Sequence, residues 1–213
     1  SSGSGIMWGG NTYLEGSVKM NFRGKLYPVN PRAESILGMK AYASIEAIPD
    51  EIDLAVFSIP YQTALRVMRD CAKKKVRFVH LFTAGFSETG IAENTALETE
   101  IIETARAANI RLIGPNCMGI YCPEGGVAWT GEFPCESGSI GFMSQSGQLA
   151  GQLILDGAIE GLLFNKVVSF GNAGDLKASD FLEYFVRDER ITMMGAYIEG
   201  LKDGNAFFET ARK

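Results

Sequence analysis

The residues with the clearest chemical potential are Ser144-Gln145-Ser146-Gly147, which lie between an apolar run and a helical pattern. A strand that ends in Ser-x-Ser-Gly before a helix leaves unpaired backbone N–H groups and the positive end of the helix dipole directed at one place. Phosphate is the usual occupant of such a place. The two hydroxyls could cap the helix, bind the phosphate or do both, and a plain strand-turn-helix joint is the alternative.

Small and polar residues also follow the other apolar runs. These runs alternate with helical patterns, which predicts an α/β fold with doubly wound parallel sheets. The run Asp53–Ile59 is nearly continuous and predicts a strand buried on both faces. Ligands of open α/β sheets bind at the carboxyl ends of the strands, so the set of strand ends favours a ligand-binding rim. The predicted strand ends are Ser58-Ile59-Pro60, Thr83-Ala84-Gly85, Gly114-Pro115-Asn116-Cys117, Ser144-Gln145-Ser146-Gly147 and Gly171-Asn172-Ala173-Gly174-Asp175.

The composition argues against several classes of protein. The net charge is −5 and the one basic run is Lys73-Lys74-Lys75, so we expect no nucleic-acid partner. No apolar run approaches the roughly 18 residues of a membrane span and no secretory signal is visible, so we expect no membrane contact. The four cysteines lack the spacing of a zinc site or a disulfide framework. We therefore expect a reduced, cytoplasmic protein without a metal site.

The segment from Tyr121 to Gly138 interrupts the alternation with prolines and glycines. We place a domain boundary near Pro134, which predicts a first domain over residues 1–133 and a second over residues 134–213. The predicted strands of the second domain stop without a closing strand, so we expect the sequence to be a fragment.

Five motifs occur in order along the chain: Tyr27-Pro28-Val29-Asn30-Pro31, Thr83-Ala84-Gly85-Phe86-Ser87-Glu88, Gly114-Pro115-Asn116-Cys117-Met118-Gly119, Ser144-Gln145-Ser146-Gly147 and Gly171-Asn172. Together they resemble the nucleoside-diphosphate-forming acyl-CoA synthetases, the family of the ADP-forming acetyl-CoA synthetases and the succinyl-CoA synthetase α subunit. No single motif is specific, but the joint pattern is. The resemblance implies a Rossmann-like CoA-binding domain and a truncated flavodoxin-like domain, both with parallel sheets.

The resemblance also implies a reaction. An acyl phosphate forms from a carboxylic acid and ATP, CoA attacks it, and a histidine carries phosphoryl groups between sites. The implied ligands are CoA, the acid, ATP or ADP and Mg²⁺, and the implied partner is an ATP-grasp domain or subunit in a homo- or hetero-oligomer. The first Rossmann strand, the carrier histidine and the ATP-grasp part are not in the sequence, so we expect the chain alone to be inactive.

The resemblance further implies roles for individual residues. The serine-rich turn would receive the phosphoryl group, and Glu199 would orient the phosphorylated histidine. A solvated glutamate at a strand end is an equal alternative for Glu199, and a buried apolar role is favoured for Cys117. The implied CoA-binding residues are Gly5, Gly9, Gly10, Asn30, Pro31, Ser58, Ile59, Pro60, Thr83, Ala84, Gly85, Asn116 and Cys117, the last five near the thiol end.

Two other functions are possible for these motifs, and His80 is a candidate phosphoryl carrier. A non-catalytic CoA-binding regulatory module would have no need for the turn at Ser144 or for Glu199. A nicotinamide-dependent oxidoreductase domain is weakened because no Gly-x-Gly-x-x-Gly follows a strand with an acidic residue about 20 positions later. His80, the one histidine, lies within the predicted strand Val76–Phe82. We therefore expect His80 to be a packed core residue and not the phosphoryl carrier.

Overall fold

The structure is a computed structural model that describes residues 10–212. Helices and strands alternate along most of this range. The helices are α1 (Gly10–Lys19), α2 (Tyr61–Lys73), α3 (Ala92–Ala107), α4 (Gly147–Ile159), α5 (Ala178–Val186) and α6 (Gly204–Ala211). The strands are β1 (Ser35–Ile36), β2 (Met39–Lys40), β3 (Leu54–Phe57), β4 (Phe78–Leu81), β5 (Arg111–Ile113), β6 (Gly119–Tyr121), β7 (Ile140–Ser144), β8 (Phe164–Ser169) and β9 (Met193–Tyr197). Within residues 10–212, no helix is both long enough and apolar enough to cross a membrane.

Three parallel strands form the first sheet, in the order β3-β4-β5, with α2 and α3 as the connections. Ala64, Met68 and Cys71 are the buried residues at helical spacing in α2, and Ile101 and Ala105 are buried in α3. These side chains share one apolar cluster with the strands. Removal of this apolar surface from water holds the two helices on one face of the sheet.

Strand β3 differs from its sequence-based expectation. It lies at the edge of its sheet within the described residues, and Leu54 and Val56 are 37% and 40% exposed. Phe57, on the opposite face, is buried against the helices. The expectation of burial on both faces is therefore wrong, because an apolar run does not show which strands will pair beside it or what will cover each face.

The second sheet contains four strands in the order β6-β8-β7-β9. Strand β7 pairs in parallel with β8 and β9, whereas β6 pairs antiparallel with β8. Since β6 precedes Pro134, the chain passes from one sheet to the other between β5 and β6. The domain boundary near Pro134 stays a prediction drawn from composition.

Helix α1 contacts both sheets. Met20, directly after the helix, and Tyr13 belong to the apolar cluster of the second sheet. The Tyr13 hydroxyl donates to the Met118 carbonyl at 3.3 Å. The Tyr13 ring also stands edge-on to the ring of His80 in the first sheet, with centroids 5.3 Å apart. The helix therefore packs into the junction between the sheets.

Asp175 joins the two sheets through hydrogen bonds. It follows β8, and its side chain is 5% exposed. Its Oδ1 accepts from Arg106 Nε at 2.9 Å, and its Oδ2 accepts from Arg111 Nε and from the Leu112 N–H, both at 3.0 Å. Burial by itself would raise the pKa of this carboxyl, but the Leu112 N–H and the two guanidinium groups outweigh it and hold the pKa below its usual range.

We predict that Asp175→Asn lowers the free energy of unfolding by about 1.5–3 kcal/mol at pH 7, because the charge-assisted hydrogen bonds are lost. The folded pKa of Asp175 is depressed, so its contribution is present above the unfolded pKa of about 3.9 and is lost as the pH falls through the lower folded value. Urea unfolding of both proteins at several pH values measures this difference.

The matched control is Asp53→Asn, which breaks the exposed ion pair with Arg77. Exposed pairs contribute little, so we expect a change of less than about 1 kcal/mol. Equal losses of unfolding free energy for the two variants at pH 7 would contradict this role of the Asp175 carboxylate. A loss for Asp175→Asn that persists undiminished at low pH would also contradict it.

Candidate functional site

Strand β7 and helix α4 are joined by the serine turn, Ser144–Gly147. Ser146 precedes the helix with an extended backbone, and its Oγ accepts the Leu149 N–H at 3.3 Å, so Ser146 is the N-cap. Ser144 is fully buried, and its Oγ donates to the Ser146 carbonyl at 2.7 Å and accepts the Ser146 N–H at 3.1 Å. Capping therefore belongs to Ser146. The Ser144 hydroxyl is bonded within the turn, and direct contact of Ser144 with an anion stays a prediction.

Gly147 begins α4 at a place where a side chain would not fit. A Cβ on Gly147 would lie 2.3 Å from Met118 Cγ. Met118 is itself held, since its N–H donates to Ser169 Oγ at 3.1 Å. The first N–H groups of a helix have no partner within it, and the dipole favours negative charge there. The close approach of the Met118 side chain thus leaves little room for a side chain where the chain presents the unpaired N–H groups of the helix start.

Gln145 ties the serine turn to the end of β9. Its N–H donates to the Tyr197 carbonyl at 3.0 Å, and its Oε1 accepts the N–H groups of Glu199 and Gly200 at 2.5 and 2.9 Å. These bonds bring Glu199 beside the serine turn with its side chain exposed. Gln145, predicted as a phosphate ligand, uses its side-chain oxygen to position this strand end.

A cavity of about 500 Å³ lies at the carboxyl ends of β3 and β4, and we call it the strand-end cavity. Thr83 joins the two strand ends, because its Oγ1 accepts the Ile59 N–H at 3.3 Å and donates to the Ile59 carbonyl at 2.7 Å. The lining combines apolar surface with three hydroxyl groups and an amide, and none of the described lining residues is basic. The lining residues are Ser58, Ile59, Pro60, Tyr61, Gln62, Phe82, Thr83 and Ala84.

Three predicted CoA residues outside the lining lie next to it, and one of them, Gly85, directly follows the lining residue Ala84. Gly10 begins α1 beside β3, since a Cβ on Gly10 would lie 3.8 Å from Ser58 Cβ. The Asn116 N–H donates to the Thr83 carbonyl at 3.0 Å. The structure therefore brings the start of α1, the ends of β3 and β4 and the segment after β5 to one edge.

The predicted Asn30-Pro31 position is not part of this group. Asn30 forms a local turn in which its Oδ1 accepts the Arg32 N–H at 2.9 Å, and neither Asn30 nor Pro31 lines the strand-end cavity. Gly5 and Gly9 lie outside the described residues. The roles of these four residues stay predictions.

Comparison with known families assigns both parts of the chain. Residues 12–123 match the CoA binding domain family, and residues 137–213 match the succinyl-CoA ligase like flavodoxin domain. The chain belongs to the CoA-binding domain family. The pair of domains confirms the predicted α/β fold class and the resemblance to the nucleoside-diphosphate-forming acyl-CoA synthetases.

Three proteins similar to this chain are named as acetate–CoA ligases or as an acetyl-coenzyme A synthetase. The chain is 39% identical to the α subunit of the ADP-forming acetate–CoA ligase II of Pyrococcus furiosus, over 89% of this chain and 41% of that one. It is 41% identical to the ADP-forming acetate–CoA ligase of Methanocaldococcus jannaschii, over 91% of this chain and 27% of that one. A solved acetyl-coenzyme A synthetase of Candidatus Korarchaeum cryptofilum, in complex with phosphate and ADP, superimposes with a TM-score of 0.89 at 33% identity, over 99% of this chain and 45% of that one. The chain thus spans less than half the length of each relative.

Cys117 and His80 are core residues of the CoA-binding chain, as predicted. Cys117 is 4% exposed, its Sγ lies 3.7 Å from the Leu81 carbonyl oxygen, and burial raises the pKa of its thiol. His80 is 3% exposed, with Nε2 3.0 Å from the Cys117 carbonyl oxygen. Burial lowers the pKa of His80 to about 4, so the ring is neutral at pH 7. A ring enclosed in this way cannot carry phosphoryl groups between sites.

Three residues without a predicted role connect the two sheets. Asn172 Nδ2 lies 2.6 Å from Glu88 Oε2 and 3.2 Å from Glu98 Oε2. Glu88 and Asn172 stood in the motifs that carried the resemblance. Glu98 had its own signal, because it precedes Ile101 and Ala105 at helical spacing and so places a carboxylate on the apolar stripe of α3.

We predict that His80→Gln removes a pH dependence of stability. The wild-type imidazole has a folded pKa of about 4 against an ordinary value of about 6.5, so the unfolded state binds the proton more tightly. Wild-type stability therefore falls as the pH drops from 6.5 towards 4, by roughly 3 kcal/mol in total, and the variant lacks this loss. Urea unfolding at pH 7 and pH 4.5 measures the two slopes. Parallel slopes would show that His80 titrates normally and is not enclosed.

Proposed function

We propose that this chain is the CoA-binding and phosphate-binding part of an ADP-forming acid–CoA ligase. One observation supports this most strongly: residues 116–118 connect the two candidate sites. The Asn116 N–H donates to Thr83 in the wall of the strand-end cavity, and Met118 packs against the first residue of α4 in the serine turn. A thiol held at the cavity and a phosphate held at the turn would then face each other across this short segment.

The two sites suit different parts of the reaction. The strand-end cavity offers the Ser58 hydroxyl, the Gln62 amide and apolar walls without a basic side chain, which suits the uncharged pantetheine arm of CoA. The helix start at Gly147 suits the phosphate that leaves when the CoA sulfur bonds to the acyl carbon and the acyl carbon–oxygen bond to phosphate breaks. Negative charge develops on that phosphate, and the fixed N–H groups stabilise it.

The proposed relay needs a histidine that this chain does not supply, since its one histidine is enclosed in the core. Glu199 lies beside the serine turn with an exposed side chain, where it can accept a ring N–H from an incoming histidine and support the charged ring. The proposed partner is an ATP-grasp domain or subunit that binds ATP with Mg²⁺. The described cysteines are all free, which suits the reducing cytoplasm as the proposed location.

We expect calorimetry to show that the 213-residue chain binds CoA and does not bind NAD, because it has strand-end turns and no dinucleotide fingerprint. Ala84→Trp should raise the Kd for CoA by about tenfold or more, since the indole would occupy an exposed position in the cavity wall. Ala43→Trp, at an exposed position outside the lining, is the matched control and should leave the Kd unchanged. Binding of NAD without CoA would reject the function, and equal effects of the two variants would reject the cavity as the site.

We predict that inorganic phosphate binds at the serine turn. In ¹⁵N-labelled protein, titration should shift the N–H resonances of Gly147 and Gln148. Those of Gly204 and Asn205 should not shift, because Asp203 precedes α6 and repels an anion. Ser146→Asn keeps a good N-cap and should keep the affinity, whereas Ser146→Asp keeps the cap but should lower it by about tenfold. Shifts at the start of α6 alone, or equal affinity in the two variants, would exclude the serine turn.

A further inference from the structure

We propose that Asn172 is a positioning residue for the strand-end cavity, an inference that rests on the proposed function. Its side chain belongs to the second sheet but holds the segment Ala84–Glu88, which we call the cavity turn, in the first. Asn172 Nδ2 is 2.6 Å from Glu88 Oε2 and 3.2 Å from both Glu98 Oε2 and Ser87 Oγ. Its Oδ1 accepts from Asn116 Nδ2 at 3.3 Å. The amide nitrogen of Asn172 therefore bonds to the first half of the molecule, and its oxygen bonds to the segment that follows β5.

The two glutamates that contact Asn172 bind the backbone of the cavity turn. Glu88 Oε1 accepts the N–H groups of Gly85 and Phe86 at 2.5 and 3.1 Å, and Glu98 Oε2 accepts the N–H of Ser87 at 2.9 Å. Three successive backbone donors are thus held by two carboxylates, and a single amide lies against both. Burial by itself would raise the pKa of Glu88, but the hydrogen bonds from Asn172 and the backbone outweigh it and hold the pKa below its usual range.

The cavity turn forms part of the cavity wall. Ala84 lines the cavity, and Gly85 follows it with a φ of +109°, a conformation that favours glycine. A Cβ on Gly85 would lie 2.9 Å from the ring of Tyr61, another lining residue. Phe86 is fully buried and stands edge-on to the same ring at 6.1 Å. A displacement of this turn therefore moves two walls of the cavity together.

The backbone of Asn172 is held at the junction between the two sheets. It follows β8 closely, its N–H donates to the Pro115 carbonyl at 3.0 Å, and its carbonyl accepts from Lys202 Nζ at 2.7 Å. Strand β8 also carries Ser169, which holds Met118 against the start of α4. The same strand end thus orders the cavity turn on one side and the serine turn on the other.

The amide is chemically suited to this place, and a carboxylate is not. Glu88 and Glu98 both present acceptor oxygens to Asn172, so the position needs a hydrogen-bond donor. An aspartate of nearly the same shape would bring a third negative charge to two carboxylates and would have no N–H to donate. Asn172→Asp therefore changes the hydrogen bonding and the charge at this position but keeps the packing.

The experiment compares wild type, Asn172→Asp and the double variant Glu88→Gln/Asn172→Asp, which restores one amide-to-carboxylate hydrogen bond with the roles reversed. Asn94→Asp is the control, since it adds the same charge to an Asn of α3 that bonds only Thr89 among the described contacts. Two quantities are measured in the 213-residue chain: the hydrogen-exchange rates of the Gly85 and Phe86 N–H groups without ligand, and the Kd for CoA.

We expect Asn172→Asp to raise both exchange rates and the Kd for CoA by about tenfold, and the double variant to recover most of each loss, while the control changes neither. Unchanged exchange would overturn the proposal. Faster exchange with an unchanged Kd would also overturn it, because the residue would then be structural only. If wild type binds no CoA, the proposed function fails, and faster exchange in Asn172→Asp with recovery in the double variant would still support the positioning of the turn.

Discussion

The carboxylate of Asp175 is the contact on which the geometry of this protein depends. A buried charge is tolerated only when it is fully paired, and the donors to Asp175 come from α3 and β5 in the first half of the chain. Asp175 follows β8 of the second sheet, so the two sheets cannot slide past each other without unpairing a buried carboxylate. Glu98 of α3 is also buried, and its contact with Asn172 is a second link between a buried carboxylate and the other sheet.

The second sheet has a separate charged anchor in the body of β8. Lys166 Nζ lies 2.6 Å from both Asp188 Oδ2 and Asn165 Oδ1, and the Lys166 and Asp188 side chains are largely buried. Hydrogen bonds from Arg190 and Lys166 hold the pKa of Asp188 far below its usual range. Lys166 and Asn165 lie near the start of β8, whereas the serine turn lies at the carboxyl end of the neighbouring strand β7. The sheet is therefore fixed at one end by an ion pair, and its other end is available to ligands.

Three hydroxyl groups near the two candidate sites bond to the protein's own backbone. Thr83 bonds Ile59, Ser144 bonds Ser146, and Ser169 accepts the Met118 N–H. Each hydroxyl replaces a missing backbone partner at a strand end and so sets the direction in which the chain leaves the sheet. The groups left for a ligand are then backbone N–H groups and a few exposed side chains, and their placement depends on these internal bonds.

Local pattern in the sequence was enough to predict the alternation of strands and helices, the serine turn with Ser146 as a possible cap, and the enclosed positions of His80 and Cys117. Each of these depends on residues close together in the chain or on a side chain's own solubility. The edge position of β3 and the antiparallel addition of β6 depend on pairing between distant segments, and no local pattern encodes them. The contact of Asn172 with Glu88 and Glu98 spans 74 residues or more. Only the tertiary structure decided it, because a carboxylate of α3 and an amide after β8 meet only once both sheets have formed and Asp175 has joined them.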